Sequence, residues 1–213
     1  PEMSMSALVD WLRDFLNALE LEQAVVAGAS VGALPARLLA AAYPQYTPAI
    51  ILINGGAVPN APPLLPLLAR IPGISHLMFY LLGLSTVTRG SLEAMFFDKG
   101  LMTDEFVQTA QNSAPAFARL MQGTLIYPIP KERTPRVPTL LLWGADDALA
   151  PIGDAEALNR EIPGARLSAV ADCGHLPQIE TTDVFVYQVN YFLDRLSRPP
   201  SEDLPGVGML NPK

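Results

Sequence analysis

The segment Gly28-Ala29-Ser30-Val31-Gly32 sets a serine hydroxyl between two glycines. It follows a valine-rich run, Ala24 to Ala27, and precedes an alanine- and leucine-rich stretch, Val31 to Tyr43. A strand that passes into a helix through so tight a turn strains the backbone of its central serine, and neighbouring side chains would clash there. The free N–H groups at the helix start would point at a reacting carbonyl. A plain glycine-rich turn with a capping serine would satisfy the same five residues, so the motif alone decides little. Two further segments add to it. Trp143-Gly144-Ala145-Asp146-Asp147 follows the apolar run Thr139 to Trp143, and Asp172-Cys173-Gly174-His175 follows the weaker run Arg166 to Val170. A carboxylate and an imidazole just past strand ends lie on the rim where open parallel sheets hold their ligands. Hydroxyl, imidazole and carboxylate together are the groups of nucleophilic acyl transfer.

The elements that must position these groups follow from periodicity. Leu8, Trp11, Leu12, Phe15, Leu16 and Leu19 recur at helical spacing, with Ser4 or Ser6 able to cap the helix. Ala24 to Ala27 reads as a buried strand ending at Gly28. Val31 to Tyr43 reads as a helix stopped by Pro44, with Pro35 near its first turn. Ala49 to Ile53 reads as a strand ending at the turn Asn54-Gly55-Gly56. Helical patterns at about Asp154 to Glu161 and Asp183 to Leu196 flank the later strands. Strands without polar alternation, separated by helices, imply an α/β fold with a mostly parallel sheet covered on both faces. From about Ala57 to Arg136 the rhythm breaks into prolines and short helical patterns, which reads as a helical cap inserted between two strands. The expected organisation is core 1–56, cap 57–136, core 137–198 and a poorly ordered, proline- and glycine-rich tail 199–213.

Taken together, the chain resembles the α/β-hydrolase family, from the helix before the serine turn to the last helix, over roughly 130 residues outside the cap. The order Ser, Asp, His is the one that fold uses. In that family the acid commonly lies in a strand–Gly-x-x-Asp segment, matched by Gly144-Ala145-Asp146-Asp147, and the histidine in a Gly-His segment, matched by Gly174-His175. The resemblance implies Ser30 as nucleophile, His175 as general base and Asp147 as the acid that fixes the imidazole tautomer. It implies that the Val31 N–H supplies half of an oxyanion hole. Asp146 is the alternative acid, and Asp172 a weaker one, with a turn-capping role as its plainer reading. Family members that carry the acid after the preceding strand would place it near Asn54, where no carboxylate stands. The family's earlier strands, and the His-Gly loop that gives the second oxyanion N–H, have no match here. By this reading the chain lacks about 70 to 90 residues of an ordinary whole domain. Such a chain could also be an inactive fragment, or a non-catalytic ligand-binding protein on the same fold.

The implied activity is that of a serine hydrolase, foremost a carboxylic-ester hydrolase working through an acyl-enzyme. Carbon–carbon bond hydrolysis, amide or peptide cleavage, peracid formation and cyanohydrin cleavage share the same triad. A serine at position 30 argues against the dehalogenase and epoxide hydrolase branches, which the resemblance associates with aspartate there. No cofactor or metal is called for: two histidines and one cysteine form no ligand cluster. Ala57 to Thr88 contains no Asp or Glu and only Arg70 as a cation, so an apolar small-molecule substrate is expected, with part of the cap lining its pocket. A net charge of −7 without any Lys/Arg run argues against nucleic acid as a partner. Leu64 to Leu84 is long and apolar enough to span a bilayer, but Pro66, Arg70, Pro72, Gly73 and His76 interrupt it. His76 reads as a packed or pocket-lining residue, and Cys173 as a small buried side chain. A lone cysteine fits a reducing compartment, hence a cytoplasmic location. Glu180 is assigned no chemistry.

Overall fold

The computed structural model describes residues 3–58, 64–71 and 74–197. Four parallel strands form one sheet in the order β1-β2-β3-β4: β1 Val26–Ala29, β2 Ile50–Ile53, β3 Thr139–Gly144 and β4 Arg166–Val170. The register aligns Ala29 with Ile53, Ile53 with Leu142, and Gly144 with Val170. All four C-terminal ends therefore open on the same rim.

Alternation along β2 and β3 feeds two cores. Ile50, Leu52, Leu141 and Trp143 face α2 Ala33–Ala42 and α7 Ile152–Glu161. Ile51, Ile53, Leu140 and Leu142 face α9 Thr182–Leu196 through Phe192, Phe185 and Val189. Both central strands are buried throughout, which is why they read as unbroken apolar runs. β1 departs from its expected burial. It begins at Val26 rather than Ala24, and Ala27 and Ala29 are exposed, because β1 is the edge of the sheet and has a neighbour on one side only among the described residues.

Before β1, α1 Met5–Ala18 packs Met5, Val9 and Leu16 on Leu34, Leu38 and Leu39 of α2. Of the two candidate caps it uses Ser4, whose hydroxyl accepts from the Ala7 N–H at 3.1 Å. Its apolar stripe is wider than the face α2 covers, and Trp11, Phe15 and Leu19 are left exposed, with Trp11 and Phe15 stacked on each other.

Between β2 and β3 the regular elements among the described residues are all helical: α3 Leu64–Leu68, α4 Ile74–Thr86, α5 Arg89–Glu93, a 3-10 turn Lys99–Leu101 and α6 Asp104–Ile126. Ala69 after α3, Phe79 of α4 and Ala118 of α6 form a small core of their own. Arg37 of α2, buried completely, gathers the two ends of this insertion. Its guanidinium donates to the Gly56 carbonyl at 2.9 Å, just after β2, and to the Arg133 carbonyl at 2.8 Å, shortly before β3, and it pairs with Glu161 of α7. None of the helices among the described residues is long and apolar enough to cross a membrane. The tail 199–213, expected to be poorly ordered, and the side chain of His76 lie outside what is described.

Candidate active site

Each strand delivers one polar side chain to the rim: Ser30 after β1, Asn54 after β2, Asp147 after β3 and His175 after β4. Ser30 opens a short 3-10 turn, Ser30–Gly32, that runs straight into α2, with the Val31 N–H at the start of that turn. Its φ of 51° lies in the left-handed region, which non-glycine residues seldom adopt, and this is the strain a tight strand-to-helix turn imposes. Gly28 is required by space: a Cβ there would overlap the backbone of Gly32 and Ala33. Gly32 is not under the same demand, since a Cβ there would meet nothing within 4 Å.

The structure brings Ser30, His175 and Asp147 into one hydrogen-bonded line. Ser30 Oγ lies 2.8 Å from His175 Nε2, and His175 Nδ1 lies 2.7 Å from Asp147 Oδ2. Both His175 and Asp147 are 5% exposed, whereas Asp146 and Asp172 are exposed and have no bond to the imidazole. Asp172 occupies a turn position at φ 52°.

Asp147 is held from several sides. Its Oδ1 accepts from the N–H groups of Leu149 (2.8 Å) and Ala150 (3.0 Å), while Oδ2 accepts from Asn54 Nδ2 (2.5 Å) besides facing His175. Burial alone would raise the pKa of this carboxyl. The hydrogen bonds from His175, the Ala150 N–H and Asn54 outweigh it and keep the group below its ordinary value. Asp147 is thus an anion beside the imidazole, able to hold an Nδ1–H tautomer and leave Nε2 free to accept a proton from Ser30.

The histidine loop is fixed by a part of the chain that periodicity does not connect to it. The His175 N–H donates to the Met95 carbonyl at 2.7 Å. Glu180, the last residue of α8 Pro177–Glu180, accepts from Gly174 N–H (2.9 Å) with one oxygen and from Phe97 N–H (2.6 Å) and Asp98 N–H (3.3 Å) with the other. Glu180 and Asn54 are the two polar residues whose parts sequence reasoning missed. An asparagine before two glycines signals a turn and nothing more, and two of the partners of Glu180, the N–H groups of Phe97 and Asp98, lie some eighty residues away, which no spacing rule reaches. Cys173 is fully buried, and burial pushes its thiol up to about 11. Among the described residues no group of three or more His, Cys, Asp or Glu could hold a metal ion.

The profile of the alpha/beta hydrolase family matches residues 1–188. The chain belongs to the alpha/beta hydrolase family. Among its curated relatives, the 2-hydroxy-6-oxononadienedioate/2-hydroxy-6-oxononatrienedioate hydrolase of Comamonas testosteroni is 29% identical over 189 residues, which are 82% of this chain and 64% of that one. The 2-hydroxy-6-oxo-6-phenylhexa-2,4-dienoate hydrolase of Burkholderia cepacia is 28% identical over 187 residues, with the same two coverages. The chain thus spans 64% of the length of these two relatives. Among solved structures, a thermophilic esterase from Thermogutta terrifontis superposes with a TM-score of 0.75 at 23% identity, over 91% of this chain and 73% of that one. A variant of the meta-cleavage product hydrolase CumD of Pseudomonas fluorescens IP01 superposes with a TM-score of 0.66 at 23% identity, over 90% and 72%. These structural likenesses establish the fold: a parallel sheet flanked by helices, as the strand pattern predicts.

Proposed function

We propose that the chain carries the catalytic centre of a serine hydrolase, with Ser30 as nucleophile, His175 as general base and Asp147 as the orienting acid. The observation that carries this reading is the continuous Ser30–His175–Asp147 hydrogen-bonded line on a strained serine turn. In the reaction, Ser30 Oγ attacks an ester carbonyl while its proton passes to His175 Nε2. The oxyanion forms against the Val31 N–H, at the start of the turn into α2. Collapse expels the alcohol, which takes its proton from His175 and leaves an acyl-Ser30 ester. Water, deprotonated by His175, then attacks that ester, and the acid is released as Ser30 regains its proton.

Ester hydrolysis on a small to medium apolar substrate is the first reading. In support of the apolar preference, helices α3 and α4 expose Leu64, Leu67, Leu77 and Leu81. Residues 57–136 are proposed to act as the cap over the rim. The second reading, carbon–carbon bond hydrolysis of a 2-hydroxy-6-oxo-dienoate, is favoured by the activities of the two curated relatives.

Fluorophosphonate labelling tests the shared core of both. Labelling is expected for the chain and absent in Ser30→Ala; equal labelling of the two would end the reading. Side-by-side turnover of p-nitrophenyl esters of increasing acyl length and of a 2-hydroxy-6-oxo-dienoate separates ester from carbon–carbon hydrolysis. Preference for charged or very short acyl groups would overturn the apolar-substrate part.

A further inference from the structure

We propose that Asn54 is a positioning residue of this site, whose amide locks the acid loop and the histidine loop into one frame. The inference rests on the assignment of Ser30, His175 and Asp147 to the reaction. Asn54 is 1% exposed, and its side chain is fully engaged. Oδ1 accepts from the Gly144 N–H at 3.2 Å; Nδ2 donates to Asp147 Oδ2 at 2.5 Å and to the Gly174 carbonyl at 3.3 Å. A primary amide has one acceptor end and one end with two donors, and here the partners are one N–H, one carboxylate oxygen and one carbonyl. Turning the amide over would set oxygen against two oxygens and N–H against N–H, so only the observed orientation is allowed.

The place of these bonds gives them a consequence for catalysis. Asp147 Oδ2 is the same oxygen that faces His175 Nδ1, and Gly174 is the residue before His175. Of the hydrogen bonds to Asp147, those from Leu149 and Ala150 come from its own loop. Asn54 reaches it from β2 and ties it to the loop after β4. As His175 takes up the Ser30 proton, the imidazolium and Asp147 attract one another. A donor on the far side of the same oxygen limits any shift of the pair away from Ser30. Asn54 also has φ 45°, in the left-handed region that asparagine, aspartate and glycine tolerate best.

That backbone requirement selects the test. Asn54→Asp keeps the shape and the backbone but sets two buried carboxyls against each other, which must share one proton, and leaves the Gly174 carbonyl without its donor. Asn54→Gly keeps the backbone and deletes the side chain. The other ionisable groups near the pair are Asp146 beside Asp147, Asp172 and Cys173 on the histidine loop, and Glu180 on α8, and all are unchanged in both variants. The readout is the fluorophosphonate labelling rate as a function of pH, on protein shown by circular dichroism to be folded. At the plateau both variants are expected to label about ten- to a hundredfold more slowly. A merely structural asparagine would lower the melting temperature and leave the plateau alone. A plateau within about threefold of the parent in either folded variant overturns the proposal. If one variant does not fold, the other decides. Equal labelling of Ser30→Ala and the parent would instead sink the triad assignment, so the two failures are told apart.

Discussion

At the scale of single residues, the carboxyl of Asp147 carries the largest electrostatic consequence. Its pKa is depressed in the folded chain, so its contribution to stability is complete above the ordinary aspartate range and is lost as pH falls below about 4. Urea titrations of the parent and Asp147→Asn at pH 7 and pH 3 should show a smaller loss on acidification in the variant. If the proposed triad operates, the same substitution should lower the fluorophosphonate labelling rate by about three to four orders of magnitude, because the imidazole loses both its orientation and its counter-charge. The labelling rate should also fall on acidification of the parent, since an imidazolium cannot take the Ser30 proton, and a profile flat to pH 4 would contradict the role proposed for His175. Cys173, buried and with its thiol raised to about 11, should resist iodoacetamide in the native chain and react once urea unfolds it. Rapid alkylation under native conditions would contradict the described packing.

At the scale of elements, the strand ends are the devices that gather the site, and their glycines are tight. A Cβ on Gly144 would overlap the carbonyl oxygens of Cys173 and Gly174, so β3 and the histidine loop are in direct backbone contact. Gly144→Ala should therefore lower thermal stability and labelling rate together, by pushing the histidine loop away from Ser30, whereas Gly32→Ala, with open space around it, should change stability by less than about 1 kcal/mol. A reversed order of the two effects in parallel melting and labelling experiments would contradict this account. These elements were legible to different degrees. β2 and β3 announce themselves because both of their faces are buried, so no polar residue interrupts them. The short valine run before Ser30 looks the same in sequence, although β1 is an edge whose alternate residues are exposed. Apolar periodicity reports that a strand exists, not how many neighbours it has. Ser30, Asp147 and His175 were legible because a turn motif and strand-end positions mark them. Asn54 was not, since an amide that satisfies three partners leaves no spacing signature. The boundaries of α3 and α4 were equally hidden, because apolar residues lie on most sides of those helices and periodicity fades.

At the scale of the whole molecule, the inserted helices have a small core of their own and are joined to the rest of the fold at several places, Leu120 of α6 and Ile129 packing on the α1–α2 core. Arg37 is one of these joints. Replacing it with leucine removes the charged donor from the Gly56 and Arg133 carbonyls and leaves Glu161 without that partner, and should cost about 3 kcal/mol in urea unfolding. A cost near zero would mean that the insertion is held without it. The bond from the His175 N–H to the Met95 carbonyl, with Glu180 receiving Gly174 N–H and Phe97 N–H together, is another joint, and it has a kinetic meaning. Neither stretch can open to solvent while the other stays shut. Deuterium should therefore enter the amides of Phe97, Gly174 and His175 with one shared protection factor, as a single opening event, although the chain places Phe97 almost eighty positions from the other two.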